Sequence, residues 1–260
     1  MKKKFLISKK IANPFFTVVT VVKNNKNLIL KTIRSVKSQS FKNFEYIIVD
    51  GASTDGTLEV ILKNKKYINL LISENDKGIY YAMNKAIKVA SGQVIVFVNS
   101  GDILTAKALN IIYKKFIKKP RFDFVFGTVK RHYSNSVIIK HGFNINRLKY
   151  NFDFATSHST GFFIKLESLK KIGNFNIKYK CSADYDLYYR ALLKKKLLGT
   201  STQKNQLIGI MSSGGFSSSI SFREHLFEET KIRINNGQNL ILVFLIFFNA
   251  IIKYIFKKIF

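Results

Sequence analysis

The sequence predicts an α/β fold, a mostly parallel sheet covered on both faces by helices. Two observations carry this. Short apolar runs recur at Phe16 to Val22, Phe44 to Val49, Leu70 to Ser73 and Val94 to Val98. Stretches with helical spacing separate them, and near-continuous apolar strands alternating with helices mark a parallel sheet buried on both sides. In such sheets ligands bind beyond the carboxyl ends of the strands, which is where Asp50 and Asp102 fall.

The elements follow in order. Phe16 to Val22 is a β-branched strand, and Leu28, Leu30, Ile33 and Val36 mark the helix after it. Phe44 to Val49 ends at Asp50 and the turn-rich segment Gly51 to Gly56, with Leu58, Ile61 and Leu62 on a second helix. Leu70 to Ser73 is a short strand, and a helix from about Gly78 to Ala90 carries Met83, Ile87 and Ala90 on one face. Val94 to Val98 is then broken by Asn99, Ser100, Gly101 and Asp102. Beyond about residue 125 the pattern is less regular. Asp123 to Thr128 and Ser136 to His141 read as a strand pair, with a loop running through about Ser157. A strand at Gly161 to Ile164 leads into a short helix ending near Gly173. An amphipathic helix spans about 183–196, Ser212 to Gly215 form a flexible turn, and helices cover about 221–236 and 238–258.

Composition bounds the function. The chain has 260 residues, 47% of them hydrophobic, which suits one α/β domain with a short appendage. Its net charge is +29, from 44 Lys+Arg against 15 Asp+Glu. Two readings of that excess stand: a polyanionic partner, whether nucleic acid, an anionic lipid leaflet or a phosphorylated substrate, or compositional drift that spreads solvated lysines over the surface. A single cysteine, Cys181, excludes an intramolecular disulfide and a multi-cysteine zinc site and suits a reducing cytoplasm. Phe5 to Ile7 is too short for a signal-peptide core. No uninterrupted apolar stretch reaches the roughly 18 residues of a transmembrane helix.

Three segments carry chemistry. Asp50 closes a buried strand ahead of a Ser/Thr/Gly-rich turn and a helix, a geometry that suits a hydrogen bond to a base or ribose beside a helix N-terminus. Asp55 in the same turn reads as a helix N-cap. Asp102 ends the most hydrophobic strand. It is either a turn residue or the protein carboxylate of a hard divalent cation whose other ligands are diphosphate oxygens and water. Asp184 and Asp186 open a helix ending in Lys194, Lys195 and Lys196. They are either favourable first-turn acids or a source of a general base.

In order and spacing, four blocks resemble glycosyltransferase family 2: Thr20 to Asn24, Val49 to Thr57, Glu74 to Lys85, and Val98 to Asp102. The likeness continues through His158, Gly173, the block from Ala183 to Arg190, and Gly214-Gly215, covering about residues 15–235. It implies a single Rossmann-like (GT-A) nucleotide-diphospho-sugar transferase domain with C-terminal helices. It also implies inverting, single-displacement transfer from a nucleoside diphosphate sugar to a saccharide acceptor, with Mn2+ or Mg2+ as cofactor. By position, the nucleotide sugar would meet Thr20, Val22, Asp50, Asp76, Lys77, Ser100 and Gly101. Asp102 would be the metal ligand and Asp184 the catalytic base, with His158 and Asp186 on the acceptor side. Asn99 and Gly101 stand where the family usually carries further acids, Lys23 where a Tyr is common, and Ala183 where an acid is frequent.

The expected organisation is a basic segment over 1–14, a catalytic domain over 15–236 and a C-terminal helix over 237–260. In that last helix Leu240 to Phe248 is apolar all round, and Asn249, Lys253 and Lys257 form a polar stripe. A basic amphipathic helix of this kind lies on anionic membranes; the other reading is a final helix packed on the domain or in a dimer seam. The membrane reading, with a lipid-linked acceptor and a role in capsule, O-antigen or exopolysaccharide synthesis, places the protein peripherally at the cytoplasmic face of the cell membrane. Other classes fit poorly. There is no Gly-x-Ser-x-Gly elbow, and His132, His141 and His225 lack zinc spacing. No helix-turn-helix, zinc-finger or RNP-like motif supports a nucleic-acid-binding protein. Asp50, Asp102 and Asp184 together argue against a catalytically inactive relative.

Overall fold

Strand β2 (Phe16–Val22) is buried at every position. The computed structural model, which describes residues 5–133, 136–152, 159–212 and 220–259, shows why. Parallel partners flank β2 on both sides, β3 (Phe44–Asp50) and β5 (Val94–Phe97), and helices cover both of its faces. On one face Val18 and Val22 pack with Ile29, Ile33 and Val36 of α1 (Lys26–Lys37), Ile61 of α2 (Thr57–Lys63), and Leu109, Ile112 and Phe116 of α4 (Ala108–Lys118). On the other, Val19 and Val21 meet Ala82, Met83 and Ala86 of α3 (Ile79–Val89).

The central sheet has eight strands in the order β1-β4-β3-β2-β5-β10-β7-β11. Here β1 is Phe5–Ser8, β4 Leu70–Ser73, β10 Phe162–Lys165, β7 Phe124–Phe126 and β11 Gly199–Ser201. β4, β3, β2 and β5 are parallel, and β10 runs antiparallel to both β5 and β7. β1 pairs antiparallel with β4, so the basic N-terminal segment includes an edge strand of the sheet.

A second sheet has the order β6-β12-β8-β9, from Ile103–Leu104, Leu207–Met211, Thr128–His132 and Val137–Lys140. This corrects the strand pair expected between Asp123 to Thr128 and Ser136 to His141. The chain changes sheets at Gly127, so β7 pairs with β10 and β11 while β8 pairs with β9. A Cβ at Gly127 would lie 2.7 Å from Ile208 Cγ1, so only glycine fits the crossing.

The second half is held by aromatic and polar anchors. Phe124, Phe126, Phe162 and Tyr188 make edge and tilted contacts at 4.8–5.8 Å between ring centroids. α6 (Leu166–Ile172) ends at Gly173, with φ of 86°. α7 (Ala183–Tyr189) continues as a π-helical turn over Arg190–Lys194, so the stretch expected as one α-helix changes hydrogen-bond register. α5 (Ile145–Tyr150) is closed by Arg233 of α8 (Phe222–Asn235), a fully buried guanidinium that donates to the carbonyls of Leu148, Lys149 and Asn151. α9 (Leu240–Ile259) packs on α8 through buried Val243 and Ile246 and a stack of Tyr254 on Phe222 at 4.0 Å. Leu240, Ile241, Phe244, Leu245, Phe248, Ile252, Ile255 and Phe256 remain exposed.

The turn into β5 is as tight as the sheet allows. Gly92 donates to Thr17 Oγ1 and Glu45 Oε1, and a Cβ there would sit 2.5 Å from the Thr17 amide nitrogen. Overpacking against fixed backbone costs about 1–3 kcal/mol. Gly92→Ala should therefore lower the stability measured in urea by that amount with an unchanged slope; an unaltered midpoint would show that the turn yields freely.

Candidate active site

The loops leaving β2 and β3 are clasped to each other. Asn24 N–H donates to Ser53 Oγ at 2.8 Å, and Thr54 N–H donates to Asn24 Oδ1 at 2.9 Å. Asn24 and Ala52 adopt positive φ, 49° and 56°, a strain held by this clasp. Asp55 behaves as a cap, accepting from Thr57 N–H at 3.0 Å, Thr57 Oγ1 at 2.5 Å and, across the clasp, Lys26 N–H at 3.0 Å. These bonds, above all the one from the Thr57 hydroxyl, hold its carboxyl below the usual range.

Asp50 is fully buried at the mouth of that clasp. Its carboxylate accepts from Ser53 N–H and, at 2.7 Å, from the Ser73 hydroxyl. Val22 is buried in register beside it. Thr20 is fully buried with its hydroxyl committed to the Val98 carbonyl at 2.8 Å and Tyr46 at 2.9 Å, so its side chain ties β2 to its neighbours. Just past β4, Lys85 ion-pairs with Glu74 at 2.8 Å and with Asp76. Asp76 keeps a buried Oδ2 with no partner, and burial pushes its carboxyl up despite Lys85. Lys77 is exposed.

The segment after β5 forms the third wall. Gly101 holds φ of 102° and donates to Thr32 Oγ1 at 2.9 Å, while Ser100 keeps a buried hydroxyl with no partner. Asn99 Oδ1 is likewise buried without a partner. Asp102 accepts from the Thr160 hydroxyl at 2.6 Å and from Ser212 N–H at 3.4 Å. Burial pushes its carboxyl up to about 6. Among the described residues no group of three His, Cys, Asp or Glu could hold a metal ion. The donors present are hard oxygens around one carboxylate, and two of them, Asn99 Oδ1 and Ser100 Oγ, are unsatisfied. That set fits a divalent cation that brings diphosphate oxygens with it.

Asp184 is half-buried at the first turn of α7, near the hydroxyl of Tyr80 at 3.4 Å, and burial pushes its carboxyl up. Tyr80 also donates to the Cys181 carbonyl at 2.9 Å and stacks on Phe175, which packs edge-on against Phe97 of β5. α7 is thereby anchored to the ligand edge of the sheet. Asp186, expected on the acceptor side, packs between α7 and the end of α8. It is buried and accepts from Arg190 Nε at 2.8 Å and from Asn236 Nδ2 at 3.0 Å. His158 and the Gly214-Gly215 turn lie outside the described residues.

Sequence reasoning missed Thr32, Thr160, Tyr80 and Glu228. Glu228 accepts from the N–H groups of Lys180, Cys181 and Ser182 ahead of α7. Burial raises this carboxyl, but those backbone donors outweigh it and leave it below its usual range. Only tertiary packing reveals these partners, which lie from 46 to 48 residues away.

Comparison with known proteins agrees with this geometry. Residues 17–194 match the model of glycosyl transferase family 2, and the chain belongs to that family. It is a glycosyltransferase. The PGL/p-HBAD biosynthesis glycosyltransferase of Mycobacterium bovis is 25% identical over 222 residues, covering 83% of this chain and 84% of that protein. The Escherichia coli UDP-Glc:alpha-D-GlcNAc-diphosphoundecaprenol beta-1,3-glucosyltransferase WfaP is 36% identical over 110 residues, 42% of this chain and 44% of its own. The fold resembles Staphylococcus aureus TarS 1-349 in complex with UDP-GlcNAc, with a TM-score of 0.69 and 20% identity over 91% of this chain and 71% of that one. It also resembles the mannosyltransferase PcManGT of Pyrobaculum calidifontis in complex with GDP-Man and Mn2+, with a TM-score of 0.65 and 17% identity over 96% of this chain and 72% of that one.

The raised carboxyl of Asp102 has a stability consequence. A folded-state value near 6 against 3.8 unfolded means that the folded protein binds the proton more tightly. The favourable contribution is full below about pH 4 and is lost as pH rises through 6. Each tenfold difference in proton affinity between the folded and unfolded chain is worth about 1.4 kcal/mol, so the whole effect is roughly 3 kcal/mol at most. Asp102→Asn should thus be more stable than wild type in urea at pH 7.5, with the difference vanishing toward pH 4. A variant less stable at pH 7.5 would mean that the charge is held favourably.

Proposed function

We propose that this glycosyltransferase moves a sugar from a nucleoside diphosphate sugar to a saccharide acceptor with inversion, at a membrane surface. One observation carries the reading: Asp50, Asp102 and the unsatisfied Asn99 Oδ1 and Ser100 Oγ converge at one sheet edge, to which Tyr80 ties Asp184. The donor's base and ribose lie against Asp50 and Val22, with Asp76 and Lys77 at the rim. Its diphosphate lies along Ser100, Gly101 and Asp102. Asp102 would hold a cation such as Mn2+ or Mg2+, which would supply charge neutralisation for the departing diphosphate. Asp184 takes the proton of the acceptor hydroxyl, whose oxygen attacks the anomeric carbon from the face opposite the leaving group. Burial lifts Asp184 toward the working pH, which makes it a better base. His158, whose position rests on the family resemblance, stands on the acceptor side.

The names of the similar proteins support a glycolipid or polysaccharide acceptor, and WfaP's name specifies a diphosphoundecaprenol-linked one. A lipid-linked acceptor in surface polysaccharide synthesis agrees with α9. No described helix is long and apolar enough to cross a membrane. The exposed apolar face of α9, on a chain of net charge +29, suits the interface of an anionic leaflet at the cytoplasmic side. A role for nucleic acid has no support in the site.

Asp184→Asn should lose roughly 10²–10⁴ in turnover while still binding the donor nucleotide. Asp102→Ala should abolish both transfer and Mn2+-dependent nucleotide affinity. Steady-state release of nucleoside diphosphate from UDP-, GDP- and dTDP-sugars, with nucleotide titrations, checks both. A crippled Asp186→Asn beside a normal Asp184→Asn would reverse the base assignment.

Because α9 also packs on α8, single-face substitutions test it better than truncation. The triple change Phe244→Ser, Leu245→Ser, Phe248→Ser should abolish sedimentation with vesicles containing phosphatidylglycerol and leave nucleotide binding intact. Undiminished sedimentation, or a wild-type protein that ignores the vesicles, would remove the membrane role.

A further inference from the structure

Two helices hold the chain that enters α7. Lys180 N–H donates to Glu228 Oε1 at 2.6 Å, and the N–H groups of Cys181 and Ser182 donate to its Oε2, each at 2.9 Å. Both oxygens of one α8 carboxylate are thus spent on three consecutive amides. From α3, Tyr80 Oη donates to the Cys181 carbonyl at 2.9 Å and stands 3.4 Å from Asp184 Oδ1. Asn84, one turn further along α3, exchanges two bonds with the main chain of Phe175, at 2.8 and 3.0 Å. The start of α7 is otherwise open. Ser182 is its N-cap residue, and a serine there ordinarily accepts from an amide of the first turn. It makes no such bond. Its hydroxyl lies instead 3.3 Å from Nδ1 of His225, one turn before Glu228 on α8. This seven-residue helix therefore has no side-chain cap of its own, and α8 and α3 place its first turn. Asp184 Oδ1 accepts from the adjacent Tyr185 N–H at 2.9 Å, so its carboxyl moves with that turn.

We propose that Glu228 is a positioning residue for the transfer reaction: by gripping the main chain of residues 180–182 it fixes Asp184 where the acceptor hydroxyl must meet it. This rests on the reading of Asp184 as the base. The grip needs a carboxylate, because both oxygens accept from N–H groups. A glutamine offers one acceptor oxygen and turns an NH2 group toward an amide that must itself donate. Misplacing a catalytic group by about 1 Å is enough to cost roughly 100-fold in rate. The donor nucleotide, bound against Asp50 and Asp102, makes no use of the grip.

The test is a double-mutant cycle in the full-length chain. Turnover is read as nucleoside diphosphate released from the preferred sugar nucleotide, and donor affinity by titration with the matching nucleoside diphosphate. Glu228→Gln should lower kcat roughly 10-fold to 100-fold with nucleotide affinity unchanged. The same change made in Asp184→Asn should cost nothing further, because a residue that acts through the base has nothing left to position. A merely structural loss would instead lower turnover by the same factor in both backgrounds. If Glu228→Gln does not fold, Tyr80→Phe, which removes only a hydroxyl from the α3 side of the grip, takes its place in the cycle with the same expected dependence on Asp184. Wild-type kcat in the substituted protein, or an equal fractional loss with and without the Asp184 carboxylate, overturns the proposal. An Asp184→Asn enzyme with wild-type turnover sinks the reading of Asp184 as base, whatever the Glu228 variant does.

Discussion

Pairing of β2 with parallel neighbours on both sides is the constraint on which the rest of the structure depends. A strand hydrogen-bonded along both edges and buried on both faces leaves no polar backbone exposed, so its neighbours must match it in direction and in apolar content. Parallel neighbours need crossovers, and the crossovers are α1, α2 and α3. The carboxyl ends of β2, β3 and β5 therefore emerge side by side. Their loops need one another for hydrogen bonds, which is why Asn24, Ser53, Asp55 and Thr57 interlock there. The ligand edge is a by-product of covering a sheet on both sides.

On that edge the carboxylates divide by how many donors surround them. Asp55 and Glu228 are saturated by backbone N–H groups and serve as caps. Asp186 is closed by Arg190 and Asn236 and holds α7 to α8. At Asp102 and Asp184 burial is the largest influence, and their carboxyls are pushed up. Desolvation without full compensation is costly for stability, and it is tolerated at sites that do chemistry.

The helices after the second sheet connect chemistry to surface. α8 caps the approach to α7 with Glu228, closes α5 with Arg233 and carries α9 on its outer side. Charge and apolar surface therefore meet on one appendage joined to α7.

By itself the sequence determined the first half. Phe16–Val22, Phe44–Asp50 and Leu70–Ser73 are strands within a residue of where their apolar runs place them, because a doubly buried strand must be apolar throughout. The turn carboxylates Asp50, Asp55 and Asp102 were legible for the same reason, being abrupt polar breaks after such runs. Tertiary structure decided the remainder. β11, β12 and α4 were not read at all, because short strands such as Gly199–Ser201 carry too few residues for a period to register. The sheet change at Gly127 depends on the space left by Ile208, and the structural place of Asp186 depends on Asn236, 50 residues away. Local pattern records what an element must bury; which donors reach a carboxyl is set by partners distant in the chain.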